Sequence, residues 1–206
     1  MKFDSLPEHV STVDTGIGDL REYPQVLRGS PAYVHSLGHG PLNRLVDIAL
    51  ASLLPRWSQV SIDTRLSMLM PGMYPCIPGW HCDDFYRPAG GQPDLVGAPD
   101  IEHIMVILGN CSRTRFVSES IELPKPEGDL VYADIDRWVN VLAPKTLCVS
   151  SGEFWKFSQI SLHRGEPSTE VGWRYFMRLT GSNHWQPLNQ RRTQTQVYVV
   201  PPFIGW

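Results

Sequence analysis

Residues 57–70 read Trp57-Ser58-Gln59-Val60-Ser61-Ile62-Asp63-Thr64-Arg65-Leu66-Ser67-Met68-Leu69-Met70, and in this stretch the hydrophobic period changes. Val60, Ile62, Leu66, Met68 and Met70 share one parity, the alternation of a half-buried strand. Just before it, Leu42, Leu45, Val46, Ala49, Leu50 and Leu53 recur at helical spacing behind Pro41, a residue suited to a first turn; Pro55 ends the run. Downstream, short strands are expected at about 101–108, 113–118, 129–133, 146–150, 153–163 and 172–180. Residues 134–142 read as a short helix or loop, and 196–200 as an edge strand. Residues 1–40 have weak periodicity and read as an irregular arm with one short strand. Many short strands behind one helix predict a mainly β sandwich or barrel with flanking helices.

The chain has 206 residues, a length that fits one domain. Its expected parts are an N-terminal arm and helix (1–56), a β core (57–182) and a C-terminal extension (183–206). Gly 17 and Pro 18 exceed the usual combined share of about 12%, which argues against a helical bundle. A hydrophobic content of 42% rules out wholesale disorder. With 18 Lys+Arg against 21 Asp+Glu the net charge is -3, and no long basic run marks a phosphate-binding surface. Nucleic acid is therefore the less favoured partner, and a small molecule the favoured one. Cys76, Cys82, Cys111 and Cys148 form no CxxC and read as free thiols of a reducing compartment. No apolar leader follows Met1-Lys2-Phe3-Asp4, and the run Ile104–Leu108 is far short of the ~20 residues that span a bilayer. The expectation is a soluble, cytoplasmic protein without a membrane partner.

Chemistry concentrates in Trp80-His81-Cys82-Asp83-Asp84 and in His163-Arg164-Gly165. Residues i and i+2 of a strand share a face, so His81 and Asp83 can reach one ion from one side of a sheet. A third ligand has to come from another strand, and His163, at the end of the strand-like run 157–163, is the candidate. Two imidazoles and one carboxylate on one side of an ion form the facial triad of non-haem iron oxygenases, which leaves positions open for oxygen and a co-substrate. Asp84 is an alternative ligand if a bulge shifts the register. A Cys/His zinc site through Cys76 and Cys82 lacks a second Cys/His pair. His9, His35, His39, His103 and His184 have no partner at ligand spacing and read as surface or packed residues, although His103 could line a pocket. The Pro- and Gly-rich run 85–100 reads as an active-site lid.

Arg174 and Arg178 share a parity within the strand-like run 172–180. A guanidinium aimed into a β core is costly unless it meets an anion, and Arg grips a carboxylate bidentately. The far carboxylate of a dicarboxylic co-substrate is a natural partner. Arg178 is the favoured holder, Arg174 the other candidate, and Thr180, on the same face, could add a hydroxyl.

Taken together, His81-Cys82-Asp83, His163, and Arg174 with Arg178-Leu179-Thr180 resemble the Fe(II)/2-oxoglutarate-dependent dioxygenases. The flanks Trp80-His81 and His163-Arg164-Gly165 are similar to phytanoyl-type and related members. The resemblance covers about residues 57–182. It implies a double-stranded β-helix (the jelly-roll or cupin-like fold), with His81, Asp83 and His163 as Fe(II) ligands. It also implies 2-oxoglutarate as co-substrate, its C5 carboxylate held by an Arg some ten to fifteen residues past the distal His. Arg174 and Arg178 lie 11 and 15 residues past His163. Many members carry Arg-x-Ser at this point, and Thr180 departs from that pattern. The implied activity is hydroxylation or demethylation of an organic molecule, with release of succinate and CO2. The alternatives are a cupin-type metal-dependent hydrolase or isomerase, and a non-catalytic binding protein.

Overall fold

The computed structural model describes residues 1–14, 18–85, 93, 95, 101–126 and 130–199. In chain order the elements are β1 (Lys2–Phe3), β2 (Glu8–Thr12), β3 (Val26–Leu27), α1 (Pro31–Ser36), α2 (Gly40–Ser52), β4 (Gln59–Leu69), β5 (Met73–Tyr74) and β6 (Ile101–Leu108). They continue with β7 (Thr114–Val117), β8 (Ile121–Glu122), α3 (Val131–Leu142), β9 (Thr146–Val149), β10 (Glu153–Ser158), β11 (His163–Gly165), β12 (Gly172–Ser182), β13 (Gln190–Arg191) and β14 (Tyr198–Val199). No helix among the described residues is long and apolar enough to cross a membrane.

The protein is mainly β, with antiparallel sheets. The largest has five strands in the order β2-β10-β6-β12-β4, and a second has three in the order β11-β7-β9. They face each other as separate ladders and do not close into one ring. β4 and β12 pair along their full length, from Leu69↔Gly172 to Gln59↔Ser182. This register puts Asp63 opposite Arg178 and Arg65 opposite Phe176.

Three apolar layers hold the sheets. On the outward face of the large sheet, Ile62, Ile104, Val106, Met177 and Leu179 pack against Leu42, Leu45, Val46 and Ala49 of α2. Pro41 lies in the first turn of α2 and the His39 side chain caps it, Nδ1 accepting the Leu42 N–H at 3.1 Å. Burial of side chains this size contributes about 1.5–3 kcal/mol each. Between the sheets, Met105, Ile107 and Phe157 meet Phe116 and Val149, with the Phe116 and Phe157 rings 5.1 Å apart. Behind the small sheet, Val131, Ile135 and Val139 of α3 pack on Trp80, Cys82 and Leu162.

Three expectations are corrected here. Residues 129–133 do not form a strand: α3 begins at Val131, and its buried stripe Val131, Ile135, Val139 has helical, not alternating, spacing. The run 153–163 is not one strand. It breaks after Ser158, where the Ser161 N–H donates to the Ser158 carbonyl in a turn, so that His163 starts β11 in the opposite sheet. Residues 1–40 hold more than one strand, because β2 edges the large sheet and α1 is capped by Ser30 with Pro31 in its first turn. The expected edge strand at 196–200 is present as β14, paired with β5. Of the expected lid at 85–100, residues 86–92, 94 and 96–100 lie outside the described residues.

Candidate metal centre

A single backbone rung brings the two histidines together. The His81 N–H donates to the His163 carbonyl at 2.9 Å and the His163 N–H to the His81 carbonyl at 3.0 Å, leaving the ring centroids 4.6 Å apart. Each imidazole is then oriented by its own chain. His81 Nδ1 donates to the Gly79 carbonyl at 2.8 Å and His163 Nδ1 to the Ser161 carbonyl at 2.9 Å. That choice of tautomer puts the lone pair on Nε2 in both rings, and such backbone support is usual for metal-binding histidines. Asp83 follows two residues after His81. Its Oδ1 is 3.9 Å from His81 Nε2 and its Oδ2 is 3.4 Å from His163 Nε2. The ligand atoms of the three residues all lie within 4.8 Å of one another. The sequence-predicted triad therefore converges.

His81 lies outside any extended strand, and α3 supplies the missing support. The Trp80 N–H donates to Asp136 Oδ1 at 2.7 Å and Trp80 Nε1 to Asn140 Oδ1 at 3.2 Å. Tyr132 donates its hydroxyl to the Cys82 carbonyl at 2.8 Å, and the Arg164 guanidinium stacks 4.7 Å over Trp80. Thus both sides of His81 are tied to one helix.

Electrostatics favour a divalent cation. Burial, then the neighbouring His163, pulls His81 down to about 4, so its ring is neutral at ordinary pH. Burial alone would raise Asp83, but Arg178 and then His163 hold it well below the usual carboxylate range. Two imidazoles with one carboxylate form a donor set suited to non-haem Fe(II).

A cavity of about 190 Å³ adjoins the triad, walled by Thr114, Phe157, Gly165 and Arg174 among others. Cys76 and Gly165 form a close wall: a Cβ on Gly165 would fall 2.5 Å from Cys76 Sγ. A second, more open cavity of about 450 Å³ continues past His81 and Asp83 toward Tyr132, Trp185 and Tyr198.

The two candidate arginines differ sharply. Arg178 donates to Asp83 Oδ2, and its Nη2 is 2.9 Å from Asp84 Oδ2 and 4.0 Å from Asp63 Oδ2. Its charge is already taken up by protein carboxylates. Arg174 is 6% exposed and, among the described residues, its hydrogen-bond partners are neutral: the Ser112 carbonyl at 3.3 Å and Thr114 Oγ1 at 3.1 Å. Burial pulls Arg174 down to about 10, and it forms no ion pair among the described residues. Arg174, unlike the favoured Arg178, is a buried cation with no carboxylate partner among the described residues. Thr180 does not reach the cavity: its Oγ1 lies 3.1 Å from His103 Nδ1, one strand step deeper. His103 is a packed residue, fully buried with Nε2 3.6 Å from Asp84 Oδ2. Asp84 faces Arg178 and His103 instead of completing the triad.

No family model matches this chain, and no curated protein matches it. Asp63 and Arg65 are among the cavity residues that sequence reasoning missed. Their signal was present, since Ser61, Asp63, Arg65 and Ser67 share the polar parity of β4, but polar alternation looks the same whether it faces water or a lined cavity.

Proposed function

We propose that the protein is an Fe(II)- and 2-oxoglutarate-dependent oxygenase on a double-stranded β-helix, hydroxylating or demethylating an organic molecule with release of succinate and CO2. The observation that carries this proposal is Arg174, a buried guanidinium with no carboxylate partner among the described residues, on the wall of the cavity that holds a His-Asp-His group. Such a cation is stabilised by an incoming carboxylate far more than by the two neutral acceptors it has now. The strand order supports the fold. From β4 to β12 the main segments alternate between the large and small sheets, with only β7 and β9 consecutive in one sheet.

His81 and His163 would hold the metal through Nε2 and Asp83 through its carboxylate. Arg174 would grip the distal carboxylate of 2-oxoglutarate, with Thr114 Oγ1 beside it as a further hydrogen-bonding group. When bound, the metal and the keto acid supply the oxidising power for attack on a C–H bond. The chain's own work is to position and to exclude water. Arg178 holds Asp83 and Asp84 in place, and Phe157 and Phe116 seal the floor under His163.

Anaerobic addition of Fe(II) and 2-oxoglutarate should produce a visible charge-transfer band, absent in His163→Ala. In Arg174→Met the metal should still bind, while the band requires about 100-fold more 2-oxoglutarate, the loss of roughly one charge-assisted bidentate contact. Metal binding without a band, and no succinate from any substrate, would sink the proposal and leave a cupin-type hydrolase or isomerase.

A further inference from the structure

Among the described residues, the charges around the cavity pair off except at Arg174 and Arg65. Asp63 binds Arg192, whose Nη2 is 2.9 Å from its Oδ1, and Asp83 and Asp84 share Arg178. Under the proposed function, which this inference rests on, Arg174 meets one carboxylate of 2-oxoglutarate. Asp83 and the other carboxylate then balance a divalent metal. Arg65 is left over.

Arg65 projects from β4 on the face that carries Asp63, Arg174 and Arg178. It lines both the inner cavity and the outer one, whereas Arg174 lines only the inner. Its Nε is buried without a hydrogen-bond partner, and it forms no ion pair among the described residues, the nearby acids being taken by Arg178 and Arg192. The outer cavity around it is walled by Phe85, Tyr132, Trp185 and Tyr198. A second guanidinium, Arg28, stacks 4.2 Å over Trp185 and adds to the positive field at that wall. A partly desolvated guanidinium between the metal centre and an aromatic vestibule is a ready partner for an anionic oxygen group.

We propose that Arg65 anchors the molecule to be oxidised, and that this substrate is a small organic anion. It carries a carboxylate or phosphate that pairs with Arg65, and a flat apolar body that lies against the aromatic walls. Anchored there, the body lies in the cavity that also borders His81 and Asp83, whose volume suits a small molecule.

The test uses the full chain loaded with Mn(II) and 2-oxoglutarate, and three probes: 3-phenylpropionate, its neutral isostere 3-phenylpropionamide, and phenyl phosphate. Binding is read from the enhanced proton relaxation that Mn(II) causes in a nearby probe. At least one anion should bind about ten-fold or more tightly than the amide, the worth of one charge-assisted contact, and which one binds identifies the group. Arg65→Met should abolish that preference, Arg65→Lys should keep part of it, and both should leave 2-oxoglutarate affinity within about two-fold of wild type. An amide that binds as well as the anions, a preference that survives Arg65→Met, or no anion binding at millimolar concentration overturns the proposal. So does a large loss of 2-oxoglutarate affinity in Arg65→Met, which would assign Arg65 to the keto acid. Failure of wild type to bind Mn(II) or 2-oxoglutarate would instead sink the oxygenase proposal. The Arg65-dependent preference can then still be read on the metal-free protein by saturation transfer to the same probes.

Discussion

On β12, Tyr175, Met177 and Leu179 enter an apolar core, while Arg174, Phe176 and Arg178, one residue out of step, face the cavity. The same split runs through β4, with Ile62 outward and Asp63 and Arg65 inward, and through β6, with Ile104 and Val106 outward and His103 and Met105 inward. The outward face holds the fold together by burying hydrocarbon. The inward face is buried almost as deeply yet is charged, and each charge there either has a counter-ion in the chain or awaits one from outside. Under the two proposals above, that distinction separates Arg178, paired within the chain, from Arg174 and Arg65, which would serve ligands.

The sharpest way to break the comparison is to remove Arg178. Arg178→Met strands Asp83 and Asp84 as half-buried carboxylates and should cost about 3 kcal/mol in denaturant unfolding, part of it recovered on adding Mn(II). A loss below about 1 kcal/mol would mean the inward ion pairs are not structural. On the outward face, Ile104→Ala should cost about 2–4 kcal/mol by opening a cavity under α2, and should leave 2-oxoglutarate affinity unchanged. Arg174→Met is the converse: unfolding should shift by no more than about 1 kcal/mol, in either direction, because an unpaired buried cation is lost, while 2-oxoglutarate affinity collapses. A large destabilisation by Arg174→Met would place Arg174 with Arg178 and erase the contrast.

The smallest effect is in pH. His81 is held down to about 4 and His103 well below its ordinary value, both chiefly by burial. Each is neutral when folded and takes a proton more readily when unfolded, so this stability is present above about pH 6.5 and lost as pH falls toward 4. Asp84, pushed up by burial to about 6, acts in the opposite sense and weakens the fold as pH rises from about 4 to 6. Two groups against one leave a net loss of stability on acidification across that window. The thermal midpoint of the metal-free protein should therefore fall between pH 6.5 and 4, and fall less steeply in His103→Phe. A midpoint that rises on acidification would mean that Asp84 outweighs both histidines.

The legible parts of the site were those whose spacing is local. His81-x-Asp83 shares a face by strand geometry, and Arg174 and Arg178 share another. α2 was legible because its apolar residues repeat along one stripe ending at Pro55. α3 was missed at its start because Val131 and Tyr132 are as suited to strands as to helices, and only packing against Trp80 and Leu162 selects between them. His163 does lie beside His81 and Asp83, but it was given the wrong element, since nothing local marks the turn that lifts it from the large sheet to the small one.

By itself the sequence determined the β alternation, the helix before it, and the short list of side chains able to ligate a metal or grip a carboxylate, because these follow from period and residue chemistry within a few residues. Which arginine is already neutralised depends on Asp84 and Asp63, which approach from distant parts of the chain. Whether β4's polar parity meets water or a cavity depends on the opposing sheet. Those were decided only in three dimensions, because a charge's role is set by what surrounds it in space, and most of its neighbours here lie far from it along the chain.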